Sequence, residues 1–426
     1  VAFSVLKRIP LASSQYRAIK VSLRILLYPL ISLLTLYSEE IPLTNPARIG
    51  HLFLELDCFL KEQVLGRVPK KKYLLVLDPS ISYANPSIIS FLKTKRNISI
   101  SYLDHFSVEV INSSCLHPVF RFLRKFGFLS TSRLRQRFYS YVTAINSTAS
   151  CFEINSSWGD RPPIFTRSSC CESLLISFFN DICLDYAKPY VLIHAREGGY
   201  SVADEHFHYL RNVDIRDFYP AVKALTSLGL NVIRIGDPTM ATSFSCSGYY
   251  DYALSKFKSP RMDVVLGSSA LFFLGTPSGA PLLSSIFGIP IALCNISLPF
   301  SYSPLGCPSD LGIPKLVGCS LKNSLVPFSK LFRDGIAEFR TPADFAKTSY
   351  YLVPNSSDDI RDLAIEMYKR VLGVWNDNES DAALQSTFSA MINEGSYSHG
   401  SASKCSTLFM RKYSYLISGS AGKQSL

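Results

Sequence analysis

Four predicted strands in the second half of the chain end in residues that suit one chemistry. "YVLIHAR" carries His194 and Arg196 at its end, and Glu197, Gly198, Gly199 and Tyr200 follow. "NVIRIGDP" brings Arg234, Gly236 and Asp237. "LFFLGTPSGAP" brings Gly275, Thr276, Ser278 and Gly279, and "IPIALCN" ends at Asn295. Cations, glycines and hydroxyls on one edge are what a diphosphate requires. Glycine lets the backbone approach, amides at a helix start donate to oxygen, and arginine clamps two oxygens at once. Each residue also has a plainer reading: tight-turn glycines, a surface arginine, a satisfied core histidine. Their joint occurrence on one sheet edge favours an anion site.

Two further groups belong to the same chemistry. The long loop "EGGYSVADEHFHYLRNVDI" holds His206, His208, Tyr209, Arg211 and Asn212, and long loops in compact domains are often functional. Its two histidines lack a third ligand at matching spacing, so it reads as a substrate-contacting loop with no metal. Gly50 and His51 stand at the mouth of a predicted helix in "NPARIGHLFLELDCFLKEQVLG". His51 and Glu197 are the candidates for a proton taker, and Arg196 for neutralising a departing charge. Familiar alternatives fail. The chain has no GxxxxGK[ST], no GxGxxG after a first strand and no GxSxG elbow, and no DxD-like pair stands out.

These residues need an α/β scaffold. From Tyr190 onward apolar strands alternate with helices across short connections, the pattern of an open parallel sheet covered on both faces. "DIRDFYPAVKALTSLG" is predicted as a helix with Ile215, Phe218, Tyr219, Val222 and Leu225 on one face, Asp214 at its start and Gly229 at its end. Pro220 conflicts with this unless it lies in the first turns. Upstream, "KYLLVLDPS", "NPSIISFLKTKR" and "NISISYL" give a strand–helix–strand rhythm. Residues 45–185 are therefore expected to form one α/β domain and 186–400 a second, with 401–426 a flexible tail.

Several stretches also resemble a family of bacterial glycosyltransferases found with surface-polysaccharide genes. They are "YVLIHAREGGY", "YLRNVDIRDFYPAVKALTSLGLNVIRIGDPTM", "SPRMDVVLGSSALFFLGTPSG" and "SIFGIPIALCNI"; "RIGHL" and "NSSDDI" look similar to its flanking motifs. The likeness runs from about Tyr190 to Lys315. More distantly, the layout is similar to fucosyltransferases of the GT-B fold. The resemblance implies two Rossmann-like domains with parallel sheets facing a cleft. It implies a nucleotide-sugar donor as substrate, no cofactor and no bound metal. It also implies that His194 and Arg196 match an H-x-R motif for the donor diphosphate, while Thr276 and Ser278 match a T-x-S-type loop for the nucleotide. Ala195 and Gly198 depart from the family's usual Val and Ser.

Composition narrows the partners. The 426 residues carry a net charge of +11, spread along the chain without a basic run or zinc-finger spacing, which argues against nucleic acid. A glycan or lipid-linked acceptor and an anionic membrane surface remain. Lys7, Arg8, Arg17, Lys20 and Arg24 precede the uncharged "ILLYPLISLLTLYS". That run is shorter than the about 20 residues a span needs, so residues 1–44 read as an interfacial anchor or as a buried helix. The expected location is cytoplasmic, peripheral on the inner face of the membrane. The 11 irregularly spaced cysteines fit free thiols. Pulling the other way, Asn97, Asn112, Asn146, Asn155, Asn295, Asn355 and Asn378 sit in N-x-S/T frames, as in a secreted glycoprotein. A binding module that holds a nucleotide sugar or glycan without turnover is the rival to an enzyme.

Overall fold

A computed structural model describes residues 39–41, 47–67, 73–77, 83–92, 98–102, 151–167, 170–199, 205, 208–297, 306–339, 341–392, 394 and 398–419. Tyr200, His206 and the basic stretch 1–38 lie outside the described residues. The chain divides into two compact units. One gathers Val1–Thr44, Pro69–Ser82 and Ile89–Phe138; the other gathers Asn45–Val68, Tyr83–Ile88 and Tyr139–Leu426.

In the first unit β1 (Glu39–Ile41), β2 (Tyr73–Leu77) and β3 (Ile98–Tyr102) form a parallel sheet in that order. The second unit holds a larger parallel sheet, built from β4 (Tyr190–His194), β5 (Asn231–Arg234), β6 (Tyr249–Asp251), β7 (Phe273–Gly275), β8 (Ile291–Ile296), β9 (Leu311–Pro314) and the late strand Lys404–Cys405. With that late strand at one edge, the order runs through β9, β8, β7, β4 and β5 to β6, seven strands in all. The α/β expectation, with a parallel sheet in each unit, is met. A small antiparallel sheet of β10 (Leu316–Cys319), β11 (Ser324–Leu325) and β12 (Tyr350–Val353) follows β9; numbering the late strand β13 completes the set.

The helices of the second unit show why local sequence sets their ends. Helix α1 (Ile49–Val64) stops before Gly66, whose φ of +75° suits glycine. Helices α2 (Cys151–Trp158) and α3 (Cys170–Asp181) lie in a Phe-, Ser- and Cys-rich region whose pattern is weak. The predicted helix after β4 is two pieces. A 3-10 turn over Ile215–Phe218 is capped by Asp214, which accepts from the Arg216 N–H; α4 (Tyr219–Ser227) then starts with Pro220 in its first turn. A proline there forfeits no intrahelical bond, which resolves the conflict. Phe218, Val222 and Leu225 are fully buried, whereas Tyr219 is exposed. Helices α5 (Pro260–Gly267) and α6 (Leu282–Ser285) connect β6 to β8 through β7. Helix α7 (Ser357–Val371) is capped reciprocally by Ser356 and Asp359 and packs on α4.

Residues 404–418 fall within the stretch expected to be a flexible tail, yet they form β13, α8 (Thr407–Lys412) and α9 (Ser414–Ser418). Apolar burial is the reason: Cys405, Phe409, Met410, Leu416 and Ile417 all join the core. Fully buried Glu366 of α7 accepts from Ser406 Oγ at 2.6 Å and from the N–H groups of Thr407 and Leu408, each at 3.0 Å. Among the described residues, no helix is long and apolar enough to cross a membrane.

Candidate functional site

Parallel register brings the chemistry together. Ile193 of β4 lies opposite Arg234 of β5, and His194 lies opposite Gly275 of β7. The carboxyl edge, where open α/β sheets bind ligands, therefore carries both motifs side by side. The Arg196 N–H donates to Thr276 Oγ1 at 2.8 Å, while the Thr276 N–H donates to the His194 carbonyl at 3.1 Å. Gly275 is required at this crossing, since a Cβ there would stand 2.6 Å from the His194 carbonyl.

Arg196 is engaged by the loop that follows β4. Its guanidinium donates to the His208 carbonyl at 3.2 Å and to Asn212 Oδ1, and it pairs with Glu205 at 3.4 Å. Asn212 in turn donates to Glu205. Glu205 was not singled out from sequence; its loop position gave no periodic signal. The Val213 N–H closes the turn on the Arg196 carbonyl at 3.0 Å. Tyr209 and Arg211 sit in the 3-10 turn of that same loop, with Tyr209 exposed.

His194 is not a second cation. It is buried, and its Nδ1 lies 3.1 Å from the Ile235 carbonyl. A carbonyl only accepts, so Nδ1 carries the proton. Burial pushes the imidazole down to about 4, aided by Arg234, Arg196 and Lys258 against the opposing backbone bond. The ring is neutral at pH 7 and ties β4 to the strand beside it.

The placing of Arg234 in a phosphate clamp requires correction. Its side chain is fully buried, pairing with Glu197 and Asp251 at 2.8 Å each and donating to the Ala241 carbonyl. Glu197 is occupied too: its second oxygen accepts from the Ala241 N–H at 2.7 Å. With one oxygen on Arg234 and the other on the Ala241 N–H, Glu197 is turned away from the role of a general base. Both residues brace the β5 end instead. Gly236 and Asp237 serve the following turn. A Cβ on Gly236 would meet Met240 Sδ at 2.2 Å, and Asp237 Oδ1 accepts from the Thr239 N–H.

The loop after β7 meets the start of α1. A Cβ on Gly279 would lie 2.9 Å from the Gly50 nitrogen and 3.2 Å from Ile49 Cβ, so backbone touches backbone. Ser278 Oγ accepts from the Ala280 N–H at 3.2 Å and shapes the loop. His51, next to Gly50, places Nδ1 3.1 Å from Glu55 Oε1; the imidazole is partly exposed and the carboxylate buried. A ring so oriented by a carboxylate has the geometry of a general base.

At the β8 end Asn295 adopts a left-handed φ of +54°. Its N–H donates to Asn355 Oδ1 at 2.6 Å, and the Asn355 N–H returns the bond to Asn295 Oδ1 at 2.9 Å. This exchange fixes "NSSDDI" against the sheet edge. It also engages two of the glycosylation-type asparagines; Asn155, a third, accepts from Lys61 while buried. Such amides are inaccessible to a glycan-transferring enzyme. Among the described residues no group of His, Cys, Asp and Glu is arranged to hold a metal, and the described cysteines are free thiols.

No protein-family model matches the chain, and no curated protein does. Among solved structures it is similar to the glycosyl transferase family 9 protein of Veillonella parvula DSM 2008, at 11% identity over 76% of this chain and 94% of that one, with a TM-score of 0.42. It is similar to the ADP-heptose LPS heptosyltransferase II of E. coli at 12% identity, over 58% and 82% of the two chains, with a TM-score of 0.34. For the E. coli heptosyltransferase WaaC with ADP the values are 12%, 63%, 88% and 0.30.

Proposed function

We propose that the carboxyl edge of the seven-stranded sheet binds the diphosphate of a nucleotide sugar, and that the protein is a glycosyltransferase. The reading rests on one observation, the bond from the Arg196 N–H to Thr276, which joins the H-x-R and T-x-S elements on one edge. In the proposed mechanism the anomeric carbon passes through an oxocarbenium-like state as its bond to the diphosphate breaks and one to the acceptor oxygen forms, while Arg196 and the amides around Ser278 and Gly279 stabilise the departing diphosphate. His51, oriented by Glu55, takes the acceptor proton. The resemblance extends the proposal to a GT-B arrangement without a bound metal, and to a glycan or lipid-linked acceptor in surface-polysaccharide synthesis at the cytoplasmic membrane face. Chelation is then expected to leave turnover intact; its abolition by chelator would remove the metal-independent assignment.

Occupation of Glu197 by Arg234 favours a second reading, a nucleotide-sugar-binding module without turnover. A panel of nucleotide sugars with glycan acceptors separates the two. Free nucleoside diphosphate released over time supports the enzyme. Saturable binding with no release supports the module and defeats the enzyme.

A further inference from the structure

Lys315 follows β9 and is 5% exposed. Its backbone N–H donates to the Ile296 carbonyl at 2.7 Å, fixing it at the carboxyl end of β8. Its ammonium donates to the Leu210 carbonyl at 2.8 Å. Leu210 lies between His208 and Asn212, which with Glu205 accept from the Arg196 guanidinium. Two cations from different strands thus grip one turn. They differ in charge balance. Arg196 faces Glu205, whereas no carboxylate lies within ion-pair distance of Lys315 among the described residues.

A buried ammonium with one neutral acceptor is costly, for it has three donors and no countercharge. Burial pushes Lys315 down to about 8, with the neighbouring Cys294 thiol opposing. Cys294 on β8 is itself pushed up to about 12, chiefly by burial, and it senses Asp217 in the turn 215–218. A folded value below the unfolded 10.5 means that the charged form costs stability below pH 8; the cost is relieved as pH rises toward 10.5. The fold returns only the bond to the Leu210 carbonyl for that charge, whereas an anion on this edge supplies the missing countercharge. We propose that Lys315 is a second phosphate-binding cation, completing with Arg196 the positive charge that a nucleoside diphosphate meets. The inference rests on the donor-site reading above.

Calorimetric titration of ADP, GDP, UDP and inorganic pyrophosphate into wild type, Lys315→Met and Lys315→Arg tests it, at about pH 7 and about pH 9.5. Wild type is expected to bind at least one probe and to weaken several-fold at the higher pH. Lys315→Met weakens about tenfold at neutral pH, the scale of one charge-assisted hydrogen bond, and loses the pH dependence. It also unfolds at the same or a higher temperature, since a costly buried charge is gone. Lys315→Arg retains affinity at both pH values. Unchanged affinity in Lys315→Met, or wild-type affinity flat across this range, overturns the proposal. If Lys315→Met unfolds early, the wild-type and Lys315→Arg pH comparison decides. Wild type that binds no probe at either pH defeats the donor-site reading itself.

Discussion

Two arginines with the same sequence signature, each at the end of an apolar strand, have opposite fates. Arg234 is fully buried between two carboxylates, while Arg196 extends over the loop at the sheet edge. Sequence shows a cation at a strand end but not its partners, because Glu197 reaches Arg234 from the loop after β4 and Asp251 from β6. Substitution separates the roles. Arg234→Ala leaves Glu197 and Asp251 with an uncompensated charge in a largely buried setting and is expected to destabilise the fold by about 3–5 kcal/mol, read as a lowered denaturation midpoint. Arg196→Ala is expected to cost about 3 kcal/mol of transition-state stabilisation with little loss of stability. Full donor turnover in purified Arg196→Ala would contradict its role. His51→Ala is expected to lower kcat while leaving nucleoside diphosphate affinity unchanged; a parallel loss of affinity would make His51 a binding residue instead.

At the scale of elements, the parallel strands and their helices were largely legible, because long apolar runs bounded by glycine and proline carry a strong signal. Pro220 even marked the true helix start, once the preceding 3-10 turn is taken into account. Strand β6, and helices α2 and α3, lacked enough periodicity to read. The encounter between the β7 loop and α1 was also invisible, since Gly50 and Gly279 are far apart in sequence and neither carries a side chain. Gly279→Ala tests that encounter. Its Cβ would press on the Gly50 nitrogen, and overpacking of this kind costs about 1–3 kcal/mol. Weakened nucleoside diphosphate binding is expected beside that loss; unaltered binding would mean that the loop and α1 need not touch for the site to work.

At the scale of the whole molecule, composition pointed two ways. The glycosylation-type frames suggested a secreted protein, but Asn155, Asn295 and Asn355 are buried and hydrogen-bonded, so these frames record packing. The Ser-rich C-terminal stretch looked poorly structured because its few apolar residues are scattered. Spatially they converge with Glu366, which binds three donors from residues 406–408. Deleting 404–426 removes those donors from a buried carboxylate. A loss on the order of several kcal/mol is expected, read as a lower unfolding temperature. Unchanged stability would make this segment dispensable.

The central claim is that the strand ends carrying Arg196 and Thr276 form a diphosphate site. Thermal unfolding with a panel of nucleoside diphosphates tests it most directly, since a ligand that binds the folded state raises apparent stability. We expect at least one nucleoside diphosphate to raise the midpoint in wild type, and the same compound to do nothing for Arg196→Ala. A panel that leaves wild type unmoved, or an equal rise in both proteins, would contradict the claim.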